Sequence, residues 1–565
     1  MWKSLLVLGV VFAAMCGIQC GGEKAGDKAS SGAEVRRPSA AAIQAWQDRK
    51  FGMFIHWGLY SIPAGVWKGK RITTGYSEQI QSHGRIPKQE YAALAARFNP
   101  EKWDPAAIVR LAREAGMKFI VITAKHHDGF NMFHTRQTDY NVVDATPYGK
   151  DVIRGLADAC AKAGMGFGVY YSTIDWHYPD ASGPEPRNNN PIPPKHAAFN
   201  VRQLRELVTG YGPLTELWFD MGDPTLEQST RFAETVHRVQ PDCMVSGRVF
   251  NHQGDFTVMG DNQIPDHIID EPWQTPASIY HDTWGYRSWA ARDDLDGKIA
   301  EHTLNLIRVV SRGGNYLLNI GPRGDGSVVE FETAVLHGVG AWLRVNGEAI
   351  YGSRPQPFRN LDFGYATTKP GRLYLLVTQW PANGYLELPG LKNEIRKAWL
   401  LADPKQRTLP VDGARVTAPA QRPTPPATVI VVEFAGELRV IPDTVKADDE
   451  GVVTLDKEQA KRFWNYNGGN YWEKKSLYKL VWDLALDKGG QYEVVAVTGA
   501  GAGEVEFAIA GQKLRGSLEP GGSVAGLVTL PASEHLTLTV TPPTPFAKGD
   551  RLGADFERII LRPVK

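Results

Sequence analysis

Cysteine is scarce: the 565 residues contain four, at positions 16, 20, 160 and 243. With Cys16 and Cys20 near the start, only Cys160 and Cys243 remain for the body of the chain, which excludes a disulfide framework. No Cys-x-x-Cys pair occurs, so neither a structural zinc site nor a thioredoxin-like site is indicated. An excess of either charge is also missing. Lys+Arg is 63 and Asp+Glu is 62, a net charge of +1, which gives no sign of nucleic acid or an acidic membrane surface as partner. No Gly-x-Gly-x-x-Gly follows the first strand-like run and no Gly-x-x-x-x-Gly-Lys-Ser/Thr is present, which counts against a nucleotide cofactor. The apolar run Leu5–Ala14 has ten residues, too short to span a bilayer.

What is present is ordinary for a soluble globular chain: 42% apolar and 22% charged residues. The length allows two to four domains, depending on whether one is a barrel of about 250 residues. Aromatics reach 10%, with 16 Trp, which serve either a large core or flat faces that stack on sugar rings.

Residues 1–20 read as an export leader, with Lys3 ahead of the apolar run and Cys16 and Cys20 at its end. Residues 21–38, rich in Gly, Lys, Ser and Ala, form a flexible tether. The leader resembles that of a bacterial lipoprotein, which implies acylation at Cys20 or Cys16 and a periplasmic or cell-surface location. Cleavage without acylation, giving a secreted protein, is the alternative. Any membrane contact is then through the N-terminal anchor alone.

Between residues 39 and 353 strand-length apolar runs alternate with helical stretches. Phe51–His56, Phe119–Ala124, Phe167–Tyr171, Leu214–Phe219, Met244–Gly247, Ser278–Trp284 and Tyr316–Ile320 read as strands. Asp104-Pro105 and Asp151 open helices that stop at Gly116 and Gly164. Repetition of this unit predicts an α/β fold, a (β/α)8-like barrel. Residues 354–443 and 444–565 change to short strands between turn residues, and each reads as an all-β sandwich, the second a possible carbohydrate-associated module.

In such a barrel the site lies at the carboxyl ends of the strands. Those ends read His56-Trp57, Lys125-His126-His127-Asp128, Tyr170-Tyr171-Ser172, Trp218-Phe219-Asp220 and Gly247-Arg248. Carboxylates, His, Arg and aromatic faces together suit a sugar. Glycosidic cleavage needs two carboxyl groups, one ionised and one protonated, and Asp220 is placed to be the ionised one. His126-His127 leaves a metal-dependent barrel hydrolase open as a rival. The expected set nonetheless contains no metal and no cofactor, because strand one lacks the His-x-His usual in such barrels.

Lys50–Pro63, Ala124–Phe130, Tyr140–Pro147, Gly168–Ser172, Leu217–Asp220, Trp284–Tyr286 and Gly313–Pro322 together resemble glycoside hydrolase family 29, the α-L-fucosidases. The resemblance covers roughly residues 40–440. It implies a retaining exo-α-L-fucosidase acting on fucosylated glycans or glycoconjugates, with Asp220 as nucleophile. The sugar-binding residues it implies are His56, Glu78, His126, His127, Tyr171, Trp218 and Arg248, and Trp57 at the barrel mouth joins them. Gly260 falls where many members carry the acid/base Glu, so Asp261 takes that role, with Glu271 and Asp255 in reserve. Gln274 stands where a second family Glu often sits. These departures leave open a fucose-binding protein with an impaired acid/base, and preference for α-L-galactose is a further variant. Trp464, Tyr466, Tyr471, Trp472 and Tyr478 are either core of the last module or a glycan platform.

Overall fold

The structure is a computed structural model and describes residues 36–564 apart from 180–186, 424, 466–475, 500–502, 519 and 542–555. The leader and most of the tether lie outside the described residues, as do Tyr466, Tyr471, Trp472 and the side chains of Trp464 and Tyr478. No helix among the described residues is long and apolar enough to cross a membrane.

Among the described residues eight parallel strands form the central sheet: β1 (Phe51–Ile55), β2 (Phe119–Lys125), β3 (Gly166–Ser172), β4 (Glu216–Asp220), β5 (Met244–Val245), β6 (Thr257–Val258), β7 (Trp273–Ser278) and β8 (Asn315–Ile320). Their order is β5-β4-β3-β2-β1-β8-β7-β6, and a parallel bridge from Ser246 to Phe256 joins the two outer strands into a ring. The architecture is therefore a TIM-like barrel.

The helices follow their sequence signals. Helix α1 (Ala40–Arg49) starts at Ser39, whose side chain accepts from Ala42 N. Asp104 caps α2 (Pro105–Glu114), with Pro at the first helical position. Asp151 caps α3 (Val152–Ala163), which stops at Gly164 in the left-handed conformation (φ 65°). Helices α4 (Pro194–Gly210), α5 (Leu226–His237), α6 (Leu295–Ser311) and α7 (Glu330–Asn346) complete the outer layer.

The seventh strand corrects the sequence reading. It occupies Trp273–Ser278, and the expected Ser278–Trp284 is instead loop that ends over the cavity described below. The displacement has a cause in composition. Trp-Gln-Thr-Pro-Ala-Ser carries a proline and three buried polar side chains, so it shows no apolar run. Strands β5 and β6, with two residues each, are too short for a periodic signal.

Phe54, Val121, Tyr170, Trp218, Phe256, Val258 and Leu317 fill the barrel as one apolar cluster. After it comes a four-stranded antiparallel sheet, Gly364–Lys369, Arg372–Val377, Thr428–Phe434 and Ile395–Leu400 in spatial order. Alternation splits its faces. Tyr374, Leu376, Val429 and Val431 join the barrel's outer core, while Leu373, Leu375, Ile430 and Val432 face a separate cluster under the smaller sheet of Tyr385–Glu387, Arg415–Thr417 and Val411–Asp412. Leu438–Ile441 contributes only an isolated bridge from Val440 to Leu391. The strands from Val445 onward form two antiparallel-rich sheets around a third core that includes Trp482, Phe507 and Leu538. Lys479 Nζ, 2.7 Å from Asp270 Oδ2, ties that region to the barrel.

Candidate active site

At the carboxyl end of the barrel, Phe54, His56, Glu78, His126, His127, Trp218, Asp220, Arg248, Asp261 and Trp284 are among the residues around a cavity of about 310 Å³. Strand β4 ends on Asp220, in register with Ser172 of β3, and Trp218 is in register with Tyr170. Residues 218 and 220 point to the same side of the strand, so the indole and the carboxylate both face the interior.

Asp220 is held from two sides. Tyr170 donates its hydroxyl to Oδ2 at 2.7 Å, and Arg248 Nη1 donates to Oδ1 at 3.0 Å. The other arm of the guanidinium, Nη2, donates to Asp261 Oδ1 at 2.5 Å and to Met259 O at 3.3 Å. One guanidinium therefore spans both carboxylates. Burial pulls the Arg248 pKa down, but Asp261 and Asp220 outweigh it and the net shift is upward. Its Cζ lies 4.9 Å from the Trp218 ring centre. Tyr76 directs its hydroxyl at Asp261 Oδ2 from 3.5 Å.

Three imidazoles cover the adjoining wall. Asn319 Nδ2 donates to Trp284 O at 2.7 Å, which turns its Oδ1 toward His56 Nδ1 at 2.7 Å. His56 Nδ1 then carries the proton and Nε2 keeps a lone pair. Burial lowers the His56 pKa to about 4, so the ring is neutral. His127 follows the same logic. Ser172 Oγ donates to Ile174 O at 3.0 Å and so accepts from His127 Nδ1 at 2.8 Å. His127 Nε2 is left 3.8 Å from Asp220 Oδ2. Burial, then Arg248 and Lys125, push its pKa down to about 3. His126 is buried too, its Nδ1 has no partner among the described residues, and burial followed by His127 and His56 drives its pKa well below 6.5.

Glu78 enters from the loop after β1. Its Oε2 accepts from Trp284 N at 3.1 Å and Gly285 N at 2.8 Å, and burial raises its pKa to about 7 despite those bonds.

Other expected positions lie elsewhere. Tyr171 points out of the barrel, where its hydroxyl meets Asn200 Oδ1 and Gln203 Oε1, each at 2.8 Å. Tyr170, its neighbour on β3, is the tyrosine that reaches Asp220. Trp57 is buried against Trp103 at 4.4 Å between ring centres and does not line the cavity. Asp255 and Glu271 sit at the amino ends of β6 and β7, away from the cavity. There Asp255 bonds His237 Nε2 at 2.8 Å and Val245 N at 2.8 Å, and Glu271 accepts from Thr257 at 2.7 Å. Lys125, at the end of β2, is fully buried beside Tyr171 and Asn200. Tyr76, Trp284 and Asn319 also belong to the site; Trp284 and Asn319 lie within the segments Trp284–Tyr286 and Gly313–Pro322, and Tyr76 lies in none of the segments that carry the resemblance. Among the described residues no three His, Cys, Asp or Glu side chains converge to hold a metal ion.

A barrel mouth with two carboxylates on one guanidinium, neutral imidazoles and an aromatic floor defines a glycoside hydrolase site. The α-L-fucosidase family model matches residues 22–348. Tissue alpha-L-fucosidase of Mus musculus is 30% identical over 427 residues, covering 70% of this chain and 92% of that protein. The crystal structure of alpha-L-fucosidase from Vibrio sp. strain EJY3 is similar over 93% of this chain and 98% of that one, with TM-score 0.65 and 27% identity. A Bacteroides thetaiotaomicron GH29 alpha-L-fucosidase, solved as a trapped covalent intermediate with 2-fluoro-fucosyl fluoride, covers 72% of this chain and 98% of that one, with TM-score 0.62 and 25% identity. The chain belongs to the α-L-fucosidase family.

Proposed function

We propose that the protein is a retaining exo-α-L-fucosidase that releases terminal α-L-fucosyl groups from glycans or glycoconjugates by double displacement. The observation that carries this reading is Asp220: it closes β4 at the cavity with both oxygens held by donors, which aims an ionised carboxylate at the reacting carbon. An Asp220 oxygen attacks C1, the C1–O bond to the leaving group breaks, and Asp261 gives its proton to the departing oxygen. Asp261 then takes a proton from water, whose oxygen attacks C1 and frees Asp220. Neutral His56 and His127, each with a lone pair at Nε2, accept hydrogen bonds from sugar hydroxyls without attracting charge. In the same reading residues 1–20 export the protein, with acylation at Cys20 or Cys16 as its anchor. The test of the chemistry is Asp220→Gly. Turnover of an aryl α-L-fucoside should vanish and return in part with azide; full activity in that variant contradicts the assignment.

A further inference from the structure

Below the cavity the barrel holds a chain of buried polar groups that the mechanism does not use. Trp46 Nε1 donates to Glu216 Oε2 at 2.6 Å. Gln274 Nε2 donates to the same carboxylate at 3.1 and 3.2 Å, and Gln274 Oε1 accepts from Trp218 Nε1 at 2.8 Å. Glu216 and Gln274 are wholly buried, and Trp46 and Trp218 are 2% exposed.

The direction of this chain is fixed by chemistry. An indole N–H only donates, so Trp46 requires an oxygen of Glu216 and Trp218 requires the oxygen of the Gln274 amide. With its oxygen on Trp218, the amide turns its NH2 to Glu216, whose oxygens accept it. Above that bond, Trp218 stacks on Tyr170 (5.6 Å, 18° between planes) and lies under Arg248. Tyr170 and Arg248 are the two donors to Asp220.

We propose that Gln274, oriented by Glu216, is a positioning residue that fixes the Trp218 indole and through it the two donors that aim Asp220. The proposal rests on Asp220 being the nucleophile. It explains why a strand of the barrel carries a glutamine where packing alone calls for an apolar side chain. Removing the amide lets the indole turn, and Tyr170 and Arg248 lose the surface that sets their geometry.

The experiment uses the full chain and begins with wild-type turnover of an aryl α-L-fucoside; absence of that turnover counts against the fucosidase reading itself. Gln274→Met should lower kcat by about tenfold or more and change KM less. Glu216→Gln should lower it in the same sense, and the double variant should be no slower than the worse single one, because both act through one bond. Gln274→Glu keeps the shape but sets two carboxyls side by side, so its activity should fall with rising pH at a point where the wild type's does not. A readout free of catalysis is the indole 15N–1H resonance of Trp218, assigned by its loss in Trp218→Phe, which should shift in Gln274→Met. Should Gln274→Met not fold, Gln274→Glu carries the same test through its pH profile. Unchanged kcat in Gln274→Met with the resonance unmoved overturns the proposal. So do additive losses in the double variant, or an unaltered pH profile in Gln274→Glu.

Discussion

At positions 170 and 171 one step of strand parity decides which hydroxyl meets Asp220. Two adjacent tyrosines look equivalent in a linear sequence, and only the pairing of Tyr170 with Trp218 separates them. His56, Glu78, His126, His127, Trp218, Asp220 and Arg248, named from the sequence, all border the cavity, and all but Glu78 stand at the carboxyl end of a strand-length run. Trp57 and Tyr171 misled for one reason: residue type was visible but direction was not. Loss of the Tyr170 hydroxyl removes a donor to a charged group, worth about 1.5–3 kcal/mol. Tyr170→Phe should therefore lower kcat on an aryl fucoside by about tenfold to a hundredfold. Asp261→Ala should slow substrates with poor leaving groups far more than an activated aryl fucoside, by about 100-fold or more. Equal losses on both would remove Asp261 from the proton-transfer step.

Among the elements, β1 to β4 were legible because their residues form apolar runs, and α2 and α3 because Asp-Pro, Asp and Gly mark their ends. Strand β7 was not, since Gln274 and Ser278 give it a polar face inside the barrel and Thr275 and Pro276 interrupt any apolar run. The loop after β2 carries a second constraint that apolar patterning cannot reveal. Gly129 has φ 76°, and a Cβ placed there would lie 2.0 Å from Asp175 Oδ1. That loop holds His126 and His127, so the strain of a side chain is delivered at the site. Gly129→Ala should lower Tm and fucosidase activity together. By contrast Gly164→Ala, at the end of α3 with no atom within 4 Å, should cost only the left-handed backbone penalty of about 1–2 kcal/mol and leave kcat unchanged. Thermal unfolding and kinetics of the two variants separate the cases; equal effects would mean that the Asp175 contact is unimportant.

On the scale of the whole molecule, the near-zero net charge fits an uncharged sugar, and the sandwich alternation placed its two faces on separate cores. Buried ionisable groups set the response to pH. Burial raises the pKa of Glu78, Asp128 and Glu216 to about 7 and that of Glu332 to about 8. These groups bind more protons folded than unfolded, so stability falls as pH rises from about 4.5 through those values. Buried His56, His127, His196 and His302, lowered to between about 3 and about 4, act oppositely: stability falls as pH drops below 6.5 toward those values. The two sets offset one another between about pH 4.5 and 6.5. Tm should accordingly be highest in that interval and lower at both pH 3.5 and pH 8; a Tm that climbs steadily to pH 8 would show that the buried carboxyls do not hold their protons. The most direct test of the account is to trap the intermediate. Incubation with 2-fluoro-fucosyl fluoride followed by proteolysis and mass spectrometry should find one fluorofucosyl group on the peptide containing Asp220. Label on any other carboxylate, or turnover of the reagent by a protein that never carries a label, would contradict it.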